Sequence, residues 1–165
     1  HKYTYSHFGY NLKVTEMQAA VGVEQLKKIP SFIESRKENW SFLREQLSSL
    51  AEDLILPEPA DNADPSWFGF LISVKKGSVV KRDQLTAYLE EKNIQTRLLF
   101  SGNLIKHPCF DQIRNTDAYR VVGNLTETDY IMENTFWIGV YPGMTKEMLS
   151  YIAKQIITGI NALKY

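Results

Sequence analysis

Chemically capable residues are thinly scattered along this chain: His1, His7 and His107, with a single cysteine, Cys109. No His-x-x-x-His pair and no acidic partner at ligand spacing accompanies them, so the spacing specifies no metal site. His7 reads as a turn residue or a side chain lining a site, rather than as a ligand. Cys109 follows Pro108 without a basic cluster to lower its pKa, which describes an inert thiol. The chain has no Gly-x-Ser-x-Gly elbow, phosphate loop or dinucleotide fingerprint. The motifs alone therefore assemble no self-contained catalytic centre.

Anion contacts are better represented. Asn11 offers amide donors at the tip of the polar, Gly-punctuated turn Ser6–His7–Phe8–Gly9–Tyr10–Asn11, just ahead of a helix start. Orphan backbone N–H groups at such a start favour negative charge. On chemistry alone, a plain turn role for Asn11 is the stronger of the two readings. Arg97 lies in an apolar run, TRLLF, and calls either for a carboxylate or phosphate partner or for an edge strand that lets it reach solvent. The two readings weigh equally.

Elements must hold these residues, and the composition allows one good core. The chain has 165 residues, 44% of them hydrophobic and 23% charged. Nineteen basic residues balance nineteen acidic ones, giving no electrostatic pull toward nucleic acid or a membrane surface. No apolar run approaches the roughly 20 residues that span a bilayer. A single cysteine forms no internal disulfide, so a cytoplasmic setting is expected. The chain opens inside a polar-aromatic run with no initiator Met. That is either a processed end or, the reading favoured here, part of a longer protein.

Thr15 with Gln18 is a capping box and predicts a helix running to Pro30 with Met17, Ala20, Val21, Leu26 and Ile29 on one face. Ser31 with Glu34 repeats the box, so the proline is expected to kink or break the path and start a second helix. Ile33, Trp40, Leu43, Leu47 and Leu50 form its core stripe. Residues 56–66 read as a proline-rich loop, 67–75 as a strand, 82–92 as a helix ended by Asn93, and 94–100 as a second strand. Ser101-Gly102-Asn103 turns the chain sharply. Residues 104–125 are irregular. Thr126 and Asp129 suggest a short helix, 135–141 a third strand, and Thr145 caps a last helix with Met148, Leu149, Ile152, Ile156 and Leu163 inward. This order predicts an α+β fold, a small, largely antiparallel sheet with helices packed on one face. Trp67, Phe68 and Trp137 could stack on a ligand, but aromatic strand residues are more often core.

The run GYNLKVTEMQAAVGVEQLKKI resembles the Gly-Tyr-Asn…Gln-Ala-Ala-x-Gly…Gln-Leu signature of the DegT-type sugar aminotransferases. These are pyridoxal-phosphate enzymes of the aspartate aminotransferase fold. DPSWFGF, TRLLFSGNL, YRVVGNLTETDYIM and TFWIGVYPG resemble one branch of that family, the CDP-4-keto-6-deoxyglucose 3-dehydrases of lipopolysaccharide dideoxysugar synthesis. The resemblance runs through the whole chain, because several unlinked stretches agree in order.

The resemblance implies the C-terminal part of a longer homodimeric enzyme. Residues 1–30 would be an interdomain segment and helix that packs on a large domain outside this chain; residues 31–165 would be the small α+β domain. The Ala19, Ala20 and Gly22 face would let that helix approach closely. Asn11 matches the family asparagine that reaches across the dimer to the cofactor phosphate, with Tyr10 beside it. His7, Lys13, Arg97 and Asn103 would lie toward the nucleotide sugar; Lys13 stands where relatives often carry Arg, so a bidentate grip is lost. The cofactor would be pyridoxamine or pyridoxal phosphate, whose electron sink drives loss of the sugar's 3-hydroxyl. In the dehydrase, histidine replaces the Schiff-base lysine, and electrons come from a separate reductase through an iron–sulfur cluster. Cys109 alone cannot supply cluster ligands, no catalytic residue is assigned within this chain, and activity of the chain by itself is not expected. The alternatives are an ordinary nucleotide-sugar aminotransferase and a non-catalytic assembly domain.

Overall fold

The computed structural model describes residues 7, 9–10 and 12–164. Helix α1 runs unbroken from Glu16 to Gln46. Its start is the expected capping box: Gln18 N–H donates to Thr15 Oγ1 at 3.3 Å, and Thr15 N–H donates to Gln18 Oε1 at 2.9 Å. The predicted break at Pro30 does not occur, and the second capping box does not form. Pro30 withholds one N–H, but residues 16–32 are all exposed, so water can solvate the Leu26 carbonyl it would have served. Ser31, instead of capping a new helix, turns its hydroxyl back to the Lys28 carbonyl at 2.9 Å.

The second half of α1 docks on the core. Trp40, Leu43, Leu47 and Leu50 are buried, while Ile33 is half-buried. The Arg36 guanidinium donates to the carbonyls of Trp67 at 2.9 Å and Val140 at 3.0 Å. Asn39 donates to the Tyr141 carbonyl at 2.9 Å. Trp40 and Trp67 stack at 4.3 Å between centroids. Trp67 is thus a packing residue. The helix is tied by side-chain donors to strand ends that lack ladder partners there.

The sheet contains β1 (Leu54–Ile55), β2 (Gly69–Val74), β3 (Thr96–Leu98) and β4 (Thr135–Gly139), ordered β1-β2-β4-β3 and antiparallel throughout. β1 was not expected; two residues carry no alternation to detect, and Leu54 is fixed opposite Val74 only by its partner strand. β2 alternates cleanly: Phe70, Ile72 and Val74 are buried, and Gly69, Leu71 and Ser73 point to the other face. Helices α2 (Arg82–Glu91) and α4 (Lys146–Leu163) complete the core with α1, through Leu85, Leu89, Leu149, Ala153, Ile156 and Ile160. Each fully buried Leu or Ile contributes about 1.5–3 kcal/mol. Of the expected α4 face, Leu149 and Ile156 are buried, Ile152 and Leu163 lie partly under cover, and Met148 is exposed. A Cβ on Gly159 would meet the Tyr88 ring at 2.7 Å, so glycine sets how closely α2 and α4 approach.

The predicted second strand is shorter than 94–100. Glu90 reaches over to accept from Thr96 at its start, and beyond Leu98 the chain curls, with Phe100 N–H donating to the Leu98 carbonyl at 2.8 Å. Residues 104–110 form two short 3₁₀ turns. Helix α3 spans Thr126–Asn134, entered through Leu125 in a left-handed conformation and the Asn124 side chain, which accepts from Thr126 N–H at 3.2 Å. Among the described residues no helix is long and apolar enough to cross a membrane.

Candidate functional site

Antiparallel partners share a face, so the register Leu71↔Trp137↔Arg97 places these three side chains together on the sheet face away from the buried core. β3 is the edge strand, which answers the question posed by Arg97: it is exposed, and its guanidinium carbon lies 5.8 Å from the centre of the Trp137 ring. Among the described residues no carboxylate pairs with it. Trp137 is held firmly. Its indole N–H donates to the Leu98 carbonyl at 3.2 Å, and Phe68 packs on it at 5.1 Å, tilted 47°. Gly69 makes this possible, since a Cβ there would stand 2.6 Å from Trp137 Cε3. A cleft of about 140 Å³ opens beside the indole, lined by Phe68, Gly69, Leu71, Leu99, Phe100 and Trp137.

The turn after β3 is pinned from α3. Asn103 is only 4% exposed, and its side-chain amide donates to Asp129 at 2.7 Å. The Lys106 ammonium pairs with the same carboxylate at 2.8 Å. Lys106 first, and Asn103 second, hold the Asp129 carboxyl below the usual aspartate pKa. Gly102 is required twice over, by its φ of +62° and because a Cβ would stand 2.5 Å from Met132 Cγ. Arg97 thus lies on the open sheet face against Trp137, whereas Asn103 is bonded inside the turn to α3.

The N-terminal candidates lie elsewhere. Tyr10 is 93% exposed, and His7 and Lys13 are exposed beside it, ahead of α1. Asn11 falls outside the described residues. At about 1.5 Å per residue, the 23 residues from Glu16 to the docked Asn39 extend on the order of 35 Å. The two groups of candidate residues therefore stand at opposite ends of a long helix.

His107 Nε2–H donates to the Ser101 carbonyl at 2.6 Å, and Cys109 is exposed and free. Among the described residues no three His, Cys, Asp or Glu side chains gather as a metal site. A larger hollow of about 310 Å³ between the strand ends and α4 is lined by Ile94, Gln95, Tyr141, Met144, Met148 and Tyr151, among others, and carries no charged side chain. From the sequence, Phe68 and Trp137 are weighed as ligand-stacking rings and set down as core, Phe100 is not singled out, and Asp129 reads only as a helix-start residue. The alternation of β4 could have found Trp137, which it sends to the same side as Arg97, whereas Phe68 and Phe100 lie outside the strands and carry no such signal.

Residues 1–157 match the profile of the DegT/DnrJ/EryC1/StrS aminotransferase family. The chain is 54% identical, over 94% of its length, to the lipopolysaccharide biosynthesis protein RfbH of Salmonella typhimurium, and covers 35% of that protein. It is 48% identical, again over 94% of its length, to a dTDP-4-dehydro-2,6-dideoxy-D-glucose 3-dehydratase of Saccharopolyspora spinosa, covering 33% of it. Among solved structures it resembles the E. coli GDP-4-keto-6-deoxy-D-mannose-3-dehydratase with bound hydrated PLP, with a TM-score of 0.77, 29% identity, and coverage of 94% of this chain and 38% of that one. The chain spans about a third of the length of these relatives. Its α+β architecture is that of the aspartate-aminotransferase-like enzymes.

Proposed function

The chain belongs to the DegT/DnrJ/EryC1/StrS aminotransferase family, and from that premise we propose that it is the C-terminal part of a nucleotide-sugar 3-dehydratase that uses pyridoxamine or pyridoxal phosphate. The substrate is a nucleotide-linked 4-keto-6-deoxyhexose, CDP-4-keto-6-deoxyglucose in the reading favoured by the dehydrase-like motifs. The observation that carries this reading is the Arg97–Trp137 pair on the open sheet face, in a chain 48% identical to a 3-dehydratase. This pair supports the reading because a guanidinium suits a diphosphate and an aromatic wall suits a sugar face.

When bound, the cofactor supplies the electron sink for expulsion of the 3-hydroxyl. The phenol of Tyr10 and the amide of Asn11 are donors that suit its phosphate, and they reach the partner subunit's cofactor from the head of α1. His7 and Lys13, at that same end and far from this chain's Arg97, flank the nucleotide-sugar approach at the partner subunit's site. Asn103, whose amide is bonded to Asp129, acts on the substrate through the turn it fixes. The lone Cys109 does not fit an iron–sulfur cluster, so any cluster and its reductase would be served by residues outside this chain.

The second reading, an aminotransferase, has support in the family description itself. The Schiff-base position of the full-length protein separates the two: histidine accords with dehydration, lysine with transamination. Cofactor retention tests the assignment of this chain. Asn11→Ala in the full-length protein is expected to weaken retention with an unchanged unfolding midpoint; unaltered retention removes the cross-dimer role.

A further inference from the structure

Phe100 stands out among the large side chains. Its φ is +49°, a left-handed conformation that costs a bulky residue about 1–2 kcal/mol, and its ring is 81% exposed. The fold gains nothing visible from that ring, which lies outside the core cluster. It does line the cleft beside Trp137, with Phe68, Leu71 and Leu99 as the other walls. Phe68 is also exposed, at 68%, so two large aromatic rings face open space on the side where Arg97 carries its charge.

We propose that Phe100, Trp137 and Phe68 receive the C6-methyl edge of the substrate and so select 6-deoxyhexoses over their 6-hydroxy counterparts. This rests on the nucleotide 6-deoxyhexose reading above. Among the described residues, the wall's only hydrogen-bonding side-chain group is the Trp137 indole N–H, which is already committed to the Leu98 carbonyl. A ligand hydroxyl placed there would lose water without gaining a partner, whereas a methyl group would gain by burial. Size points the same way. The cleft of about 140 Å³ is a small, open seat that suits an alkyl edge. Arg97, adjacent on the same face, can hold the diphosphate while the cleft holds the methyl. Phe100 is then a specificity residue, and its strained backbone is what aims the ring.

The test uses the full-length, cofactor-loaded protein and two unreactive ligands, CDP-6-deoxyglucose and CDP-glucose, titrated calorimetrically, with the GDP- and dTDP-linked pairs in parallel. The wild type is expected to prefer the 6-deoxy ligand by about 10- to 100-fold, the ceiling for an apolar pocket rejecting an added hydroxyl. Phe100→Gly relieves the backbone strain, so its unfolding midpoint should be unchanged or raised while the preference falls to within a few-fold of unity. A preference that survives in Phe100→Gly overturns the proposal, as does a wild type that binds both sugars equally; the dehydratase reading then stands. Equal loss of both ligands with a lowered midpoint also overturns it, because Phe100 would then be a packing residue. Affinity that follows the base and ignores C6 would place the base in the cleft and overturn it as well. If no nucleotide sugar binds the wild type, the functional reading and this inference fail together.

Discussion

Arg97 lies directly across the β3–β4 ladder from Trp137, with its guanidinium carbon 5.8 Å from the indole centre. The arrangement keeps a cation on an exposed sheet face beside a planar ring, with no carboxylate paired to it among the described residues. An anionic ligand can therefore meet an accessible charge beside an aromatic wall. Arg97→Ala is expected to weaken nucleotide-sugar binding by roughly 10- to 100-fold, as for loss of a hydrogen bond to a charged group. Arg97→Lys should recover only part of it. Because the side chain is exposed, the unfolding free energy should move by no more than about 0.5 kcal/mol. Calorimetric titration with denaturant melts on the same samples checks both statements.

Gly69 should prove intolerant of any side chain. A Cβ at this position would sit 2.6 Å from Trp137 Cε3 and 3.1 Å from the Ile138 carbonyl oxygen. Gly69→Ala must push the indole off the strand, costing about 1–3 kcal/mol. The displaced indole should also change the near-ultraviolet dichroism and the binding of nucleotide sugar, whereas the far-ultraviolet spectrum should hold. An alanine variant with wild-type stability and binding would mean that the indole's seat is not set by this glycine.

Much of the scaffold was legible because it is encoded by short-range chemistry. The Thr15 capping box, the Thr145 cap and the buried alternation of β2 follow from side chains a few residues apart. Trp67 also took its expected core role, stacked on Trp40. The continuity of α1 was not legible, because the penalty for Pro30 depends on whether its surroundings are wet. β1 was invisible, since its two residues are made a strand by Val74 and Ser73 opposite. The site residues divide the same way. Arg97 was flagged by its charge in an apolar run, but the company of Trp137, Phe68 and Phe100 depends on register and on one left-handed residue. Asn103 was singled out from the family motif, and its bond to Asp129, 26 residues on, appears only in the folded chain.

The turn that carries Asn103 should loosen in acid. The Asp129 carboxyl is held below the usual aspartate pKa by Lys106 and then Asn103. A depressed folded-state pKa gives stability that is complete above the unfolded-state pKa, about 4, and that is lost as pH falls through the folded value. Asp129→Asn should therefore lower stability at pH 7 and flatten the acid limb of the stability curve relative to wild type. Urea melts at pH 7 and across pH 2 to 5, on the order of the aspartate range, read this directly. Parallel acid limbs would show that the pin contributes nothing.

Pro30→Ala restores the missing N–H in an exposed stretch of α1. Alanine is better than proline in a helix interior by about 3 kcal/mol, so amide exchange around residues 26–34 should slow. The global unfolding midpoint should barely move, because residues 16–32 make no buried contact with the core. Unchanged exchange would mean that the helix is not limited at its proline.

The account as a whole turns on what the full-length protein does to its sugar. Supplied with pyridoxamine phosphate, a reductant and CDP-4-keto-6-deoxyglucose, it should consume the substrate with loss of one water, and NMR of the product should show a methylene at C3. A product that keeps its 3-hydroxyl and carries an amino group at C4 would contradict the dehydratase reading and establish the aminotransferase in its place.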